Sequence, residues 1–205
     1  MKKRVVSKCV NFIKRKNKYS VEELTQIEYG LEGIYLTISK LIIIAIIAIL
    51  LGILKEMLIY MLIYNILRIP SFGLHATKSW MCLLATTILF IGIPFLCLYL
   101  TIPLIIKILI GIVCTIFMYK NSPADTKKRP IVNYKRRKTY KIISTILTII
   151  FAITSNLINN QFISNCLVFS MIMQNFMISP TVYKIFRLPY NNYITFLKEH
   201  PDFIE

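Results

Sequence analysis

Long apolar runs, separated by short polar segments, dominate the chain. Four of them, at 36–54, 80–100, 103–119 and 141–158, approach or reach the length of a transmembrane helix, which needs about 20 apolar residues to cross the hydrocarbon core. A fifth run, at 162–185, is apolar but interrupted by polar side chains and a proline. The pattern predicts an all-α, polytopic membrane protein.

A sixth run, at 57–67, has only eleven clearly apolar positions, which span roughly 17 Å against a core of about 30 Å. Basic residues nevertheless cluster within 1–18 and within 120–141, and the positive-inside rule places both clusters in the cytoplasm. An even number of crossings must therefore separate them. We predict that 57–67 crosses as well, through a thinned bilayer or with Lys55 and Arg68 snorkelling at its ends.

About six transmembrane helices with both termini in the cytoplasm follow from this count. The turns at 55–56, 100–103 and 159–161 would then lie outside, and His75 and Lys78 inside. Nothing in the pattern divides the chain, so we expect one integral-membrane domain over residues 1–205.

The region before the first span predicts an amphipathic helix within a cytoplasmic N-terminal segment, 1–35. Ser20 is followed three residues later by Glu23, which is the pattern of a capping box at a helix N-terminus. We therefore expect a helix over 20–35 that lies at the interface and continues into the first span.

Composition agrees with a membrane protein and excludes several other classes. Charged residues make up 17% of the chain, against about 25% in soluble domains, and the mean hydropathy is +0.63. The net charge of +16 favours contact with an anionic lipid bilayer, and no nucleic-acid-binding fold is predicted. Five cysteines without CxxC spacing argue against a disulfide framework or a zinc site; we expect no metal and no cofactor.

The chemistry-bearing residues at a span boundary are His75 and Cys82. On one regular helix they would lie about 10.5 Å apart along the axis, too far for a hydrogen bond of about 3 Å. They can form a catalytic pair only across a loop. We predict that Pro70 ends the preceding helix, that Gly73 takes a positive φ, and that a helix beginning near Ser79 stabilises a thiolate at its N-terminus.

Two other functions fit these residues. The thiol could be a packing residue in a non-catalytic scaffold, or both side chains could line the vestibule of a small transporter. Transporters usually bury ionisable residues midway across the bilayer, whereas Lys40 and Lys107 lie nearer the span ends. This placement argues against transport.

Three motifs resemble the AgrB family, the membrane peptidases that process Gram-positive quorum-sensing propeptides. The stretch 68–82, with Arg68, Gly73, His75 and Cys82, carries the first. The sequence SPADTKKRPI, at 122–131, is similar to the loop between the family's fourth and fifth spans, and EYGLE precedes the first span. Gly73-Leu74 departs from a Gly-Gly-like pair found in many relatives. The resemblance covers most of the chain.

The resemblance implies a cysteine endopeptidase with a reactive loop over 68–82. His75 would be the general base and acid, and Cys82 the nucleophile. Cys82 would cleave the C-terminal tail from an AgrD-like propeptide and keep the remainder as a thioester. An internal Cys or Ser of the substrate would then close a thiolactone or lactone ring, giving an autoinducing peptide without a cofactor.

The resemblance also implies partners and supporting residues. A basic cytoplasmic loop, 120–140, would hold an acidic tail on the propeptide, although the same charges also serve as a topology signal. The predicted substrate-binding residues are Arg68, Lys127, Lys128, Arg129, Arg136 and Arg137. A carboxylate could orient the imidazole, and the candidates are Glu28, Glu32 and Asp125. A homodimer in the bacterial cytoplasmic membrane, with its active site near the cytoplasmic face, is expected.

Overall fold

The computed structural model describes residues 2–16, 20–74, 79–126 and 130–200. These ranges are helical and contain no β-strand, which confirms the predicted all-α class. In chain order the helices are α1 (Lys2–Lys16), α2 (Val21–Leu50), α3 (Leu54–Ser71), α4 (Ser79–Thr87), a π-helical turn (Ile88–Gly92), α5 (Ile93–Tyr99), α6 (Leu104–Asn121), α7 (Tyr134–Leu157), α8 (Gln161–Ile178), α9 (Pro180–Ile185) and α10 (Asn192–Glu199).

The chain divides into two compact units, Met1–Gly52 and Ile53–Glu205. In the first unit α1 packs against α2. The predicted capping box is confirmed: the Glu23 amide donates to Ser20 Oγ over 3.2 Å, and the Ser20 amide donates to Glu23 Oε2 over 2.8 Å. Helix α2 then runs without interruption from this cap into the first apolar run, as predicted. The separate helix α1 was not predicted.

Within the described ranges, five helical segments have the length and apolarity to cross a membrane. They are Glu23–Leu50, Trp80–Tyr99, Leu104–Asn121, Tyr134–Leu157 and Gln161–Ile178. Helix α3 has 18 residues, a rise of roughly 27 Å that approaches the thickness of the core. Its charged residues, among them Glu56 in the first turn and Arg68 in the last, lie at its ends. Together with the five segments above, α3 gives about six transmembrane helices.

Two boundary predictions for α3 were wrong. The helix does not stop before Pro70 but continues to Ser71. Only one backbone donor is lost at Pro70, while the Ser71 hydroxyl donates to the Leu67 carbonyl and the Phe72 amide to the Arg68 carbonyl. The turn preceding α3 lies at Gly52, with φ 70°, rather than at 55–56, which form the first turn of the helix.

Helix α8 is the centre of the second unit and packs against α3, α5, α6 and α7. Its buried face combines apolar core residues with several polar side chains, and the facing side of α7 contributes further hydroxyls. The outward faces of α6 and α7 are rows of exposed isoleucines instead. Polar groups inside and aliphatic groups outside are the arrangement expected in lipid, where interhelical hydrogen bonds help to hold helices together. The buried polar residues of α7 and α8 are Ser144, Thr148, Ser155, Ser164, Asn165, Ser170, Gln174 and Asn175.

Candidate active site

Cys82 lies in the first turn of α4, which begins at Ser79 as the sequence predicted. Its thiol is half-buried, and its Sγ lies 3.9 Å from the Thr86 hydroxyl oxygen. Thr86 itself donates to the Cys82 carbonyl over 2.5 Å. The thiol is therefore accessible, beside the positive end of a helix dipole.

Four of the predicted site residues lie outside the described residues: His75, Lys127, Lys128 and Arg129. Lys78, three positions after His75, also lies outside them. What the structure describes is how the chain on either side of them is held.

Arg68 holds the chain that leads to His75. Its guanidinium donates to the carbonyl of Phe72 over 2.6 Å, to that of Leu74 over 2.8 Å and more weakly to that of Gly73 over 3.4 Å. Gly73 has φ 115°, the positive φ that the sequence predicted. The three carbonyls converge on one cation, which fixes the exit from α3.

The reactive loop and the second motif are joined through their backbones. The Gly73 amide donates to the Ala124 carbonyl over 2.8 Å, and the Ala124 amide returns a bond to the Ser71 carbonyl over 3.0 Å. The Leu74 amide donates to Met177 of α8 over 3.0 Å. Two stretches that lie some 50 positions apart in the sequence thus form one structural unit next to His75.

Gln174 of α8 is a supporting residue that the sequence did not assign. Its side-chain amide donates to the Ser71 hydroxyl over 2.6 Å and to the Phe72 carbonyl over 2.8 Å. The available signal was a polar residue inside an apolar run, which is costly in lipid and marks a function or a buried partner. That signal gives no indication of which partner.

Asp125 connects the second motif, 122–131, to the described residues that follow α8, 179–200, which we call the C-terminal segment. Its buried carboxylate accepts from the backbone amides of Asn192 (2.9 Å) and Tyr193 (2.8 Å), weakly from that of Ile131 (3.4 Å), and lies 3.6 Å from the Arg137 guanidinium. A role in orienting His75 would compete with these contacts. Glu28 and Glu32, the other predicted candidates, are on α2 of the first unit.

The C-terminal segment also contacts the backbone of this motif. Tyr183 donates its hydroxyl to the Asp125 carbonyl over 3.1 Å, and the Tyr190 hydroxyl donates to the Asn121 carbonyl over 3.3 Å. Burial raises the pKa of both phenols, so they remain protonated donors at neutral pH. No sequence pattern indicated that residues beyond the last span would support the loop.

Arg136 and Arg137 are adjacent in sequence but differ in environment. Arg137 is 18% exposed, pairs with Asp125, and stacks with its guanidinium carbon 3.4 Å from the centre of the Tyr193 ring. Arg136 is exposed, and its guanidinium Nε donates to the Tyr140 hydroxyl over 3.1 Å. Of this pair, Arg136 is the one placed to meet a ligand in solvent.

Neutralising the two arginines singly should separate structure from substrate contact. We expect Arg137→Gln to lower the free energy of unfolding by about 2 kcal/mol, because it leaves the buried Asp125 carboxylate without its cation. Arg136→Gln should change it by less than about 0.5 kcal/mol. Thermal unfolding in detergent measures both. Equal stability of the two variants would contradict this assignment.

Comparison with known proteins identifies the family. The family model of accessory gene regulator B (AgrB) matches residues 6–178. The chain belongs to the AgrB family. An AgrB-like protein of Clostridium acetobutylicum is 28% identical over 174 residues, covering 85% of this chain and 83% of its own.

Two further relatives extend this comparison. An AgrB-like protein of Listeria monocytogenes serotype 4a is 32% identical over 174 residues, covering 84% of both chains. One from Lactiplantibacillus plantarum is 28% identical over 153 residues, covering 72% of this chain and 76% of its own. No solved structure matches the chain. AgrB membership links it to the processing of an accessory gene regulator propeptide in quorum sensing.

Proposed function

We propose that this AgrB protein is a membrane cysteine endopeptidase, with Cys82 as nucleophile and His75 as general base and acid. The observation that carries the proposal is the anchoring of the chain on the N-terminal side of His75. Arg68 of α3, Gln174 of α8 and Ala124 bind the backbone at 71–74, while Cys82 lies in the first turn of the following helix. Such anchoring supplies the positioning that a catalytic pair requires.

The proposed reaction has two acyl-transfer steps. Cys82 attacks a peptide carbonyl near the C-terminal end of an AgrD-like propeptide, the C–N bond breaks, and His75 gives the leaving amine its proton. The propeptide is then held as a thioester on Cys82. An internal Cys or Ser of the substrate attacks this acyl group, releases the Cys82 thiol and closes a thiolactone or lactone ring. Ring closure exchanges the Cys82 thioester for a thiolactone or lactone; because the acyl group is already activated as a thioester, this step needs no ATP.

Substrate binding falls to the basic residues not used by the scaffold. We propose that Lys127, Lys128, Arg129 and Arg136 contact an acidic tail on the propeptide. Arg68 and Arg137 were also predicted to bind substrate; because they contact the loop and Asp125, we propose that they support the site through those contacts. Exposed contacts of this kind contribute under about 1 kcal/mol each, so the tail needs several.

The remaining parts of the proposal concern location. Both basic clusters would face the cytoplasm of the bacterial cell, with the reactive loop at that surface. Partial exclusion of water there would protect the thioester from hydrolysis. A homodimer would be the working form.

A trapped thioester tests this mechanism directly. A propeptide whose ring-forming Cys or Ser is replaced by alanine cannot complete the second step, so it should accumulate as an adduct on the enzyme. We expect intact-mass measurement to show that adduct, hydroxylamine to release it, and peptide mapping to place it on Cys82. Cys97→Ala, a buried thiol elsewhere in the second unit, is the matched control and should form the same adduct. An adduct that resists hydroxylamine or maps to another residue would contradict the proposal.

A further inference from the structure

The second unit has a cleft of about 570 Å³ at the polar ends of α6 and α7. Lys120 of α6 and Lys138 and Lys141 of α7 line it, and Tyr190 and Tyr193 of the C-terminal segment form the opposite wall. We call this the basic cleft. It lies where two apolar spans give way to charged sequence, which is the level of the membrane–water interface.

The basic cleft has an excess of positive charge. Its fourth cation, Arg137, is paired with Asp125. Among the residues that the structure describes, no carboxylate forms an ion pair with Lys120, Lys138 or Lys141, and Lys141 only approaches the Tyr119 ring, 4.6 Å from its centre. Cations gathered in one concave site raise the local concentration of anions.

An apolar groove of about 420 Å³ runs along the same two helices. Ile112 and Ile116 of α6 line one side, and Ile149 and Ile153 of α7 the other. All four side chains are more than 40% exposed. The groove has its floor where α6 and α7 approach closely: a Cβ added at Gly111 would lie 2.8 Å from that of Ala152.

The groove and the basic cleft lie on one continuous stripe of the helix pair. Steps of three or four residues, which keep to one helix face, lead from Ile112 through Ile116 to Tyr119 on α6. On α7 the same steps lead from Ile149 through Thr145 to Lys141. Tyr119 and Lys141 are in contact, so the stripe passes from an aliphatic groove to a cationic site.

We propose that an anionic phospholipid occupies this stripe, with its phosphate among Lys120, Lys138 and Lys141 and an acyl chain in the α6–α7 groove. A lipid accounts for both halves, since it carries a phosphate at the interface and a hydrocarbon tail alongside the helices. Basic pockets at the ends of transmembrane helices bind such headgroups. An acidic peptide would use the lysines but leave the groove empty. The proposal rests on the membrane-spanning fold and is independent of the peptidase activity.

Lipid retention tests the cationic half. The full chain is placed in nanodiscs of phosphatidylcholine containing a minority of phosphatidylglycerol, and the lipids it retains are counted by native mass spectrometry. We expect selective retention of phosphatidylglycerol by the wild type, reduced roughly tenfold or more in Lys138→Gln/Lys141→Gln. Lys135→Gln/Lys184→Gln removes the same charge from exposed positions outside the cleft and should retain as much as the wild type.

Two further arms separate the alternatives. Filling the groove by Ile116→Trp should lower the retention of phosphatidylglycerol while leaving the lysines in place. Inorganic phosphate and an oligoglutamate peptide are added to discs of phosphatidylcholine alone. Equal retention of phosphatidylglycerol by both double variants would overturn the proposal. Binding of oligoglutamate that depends on Lys138 and Lys141, without selectivity for phosphatidylglycerol, would overturn it in favour of a peptide site.

Discussion

Cys82→Ala is expected to abolish tail cleavage of the co-expressed propeptide. In the proposed mechanism the thiol forms the acyl bond, and no other described cysteine lies in the first turn of the helix that follows the reactive loop. Removal of a nucleophile from a catalytic set typically lowers the rate by on the order of 10⁴-fold or more, which a gel records as complete loss. His75→Ala should have a similar effect. Gel mobility of an epitope-tagged propeptide, at equal membrane levels of enzyme, measures the result.

Cysteines elsewhere in the fold provide the matched controls. Cys97 and Cys166 are fully buried and Cys114 nearly so, so their thiols cannot reach a peptide in solvent. Alanine at Cys97 leaves a small cavity and should affect stability more than cleavage. If the Cys82→Ala variant still cleaves the propeptide, the thiol is a packing residue. The result would then favour the transporter or the non-catalytic scaffold hypothesis.

The helices were predictable because each apolar run has one physical solution in lipid. A span must satisfy its backbone internally, so the run at 103–119 appears as α6 with only small shifts at its ends. The run at 141–158 appears within α7, which begins earlier, at Tyr134, and ends at Leu157. The cap at Ser20 and the positive φ at Gly73 were predictable for a different reason: the residue type at each position indicates the local conformation.

The hydrogen-bond and ion-pair partners in the candidate site were not predictable, because they are far apart in sequence. Asp125 was a candidate to orient a histidine, yet its carboxylate is occupied by the amides of Asn192 and Tyr193. Arg137 was predicted to bind substrate, and its guanidinium also stacks on the Tyr193 ring, a contact that its sequence position did not indicate. A residue type indicates what chemistry is available, and only the fold decides which groups use it.

Local rules also failed where tertiary contacts outweighed them. Pro70 should have ended α3, but the Arg68 guanidinium gathers the carbonyls that follow the helix. Gln174 supplies a further donor from α8. These contacts satisfy backbone groups that would otherwise be left unpaired at the end of a span, where an unpaired group is expensive. The same contacts make the loop sensitive to small changes.

Gly73→Ala is therefore expected to inactivate the enzyme without touching a catalytic side chain. A Cβ at this position would lie 2.5 Å from the Arg68 guanidinium nitrogen and 2.8 Å from the Met177 carbonyl oxygen, on a backbone with φ +115°. The arginine can shift, but the carbonyl belongs to α8 and the positive φ remains strained for any L side chain. The chain that leads to His75 must move instead. A displacement of about 1 Å near a reacting centre can lower the rate by about 100-fold.

Gly92→Ala is the matched control for this substitution. Its backbone is helical, with φ −62°, and the nearest atom to an added Cβ is a methyl of Ile88 at 3.9 Å, an ordinary contact. We expect its cleavage rate to stay within about twofold of the wild type, because alanine favours the helix there. Initial rates of tail cleavage at equal membrane levels, together with thermal unfolding in detergent, distinguish the two cases. A Gly73→Ala variant that is fully folded and fully active would show that the hydrogen bonds from residues 72–74 to Arg68, Ala124 and Met177 do not position the catalytic pair.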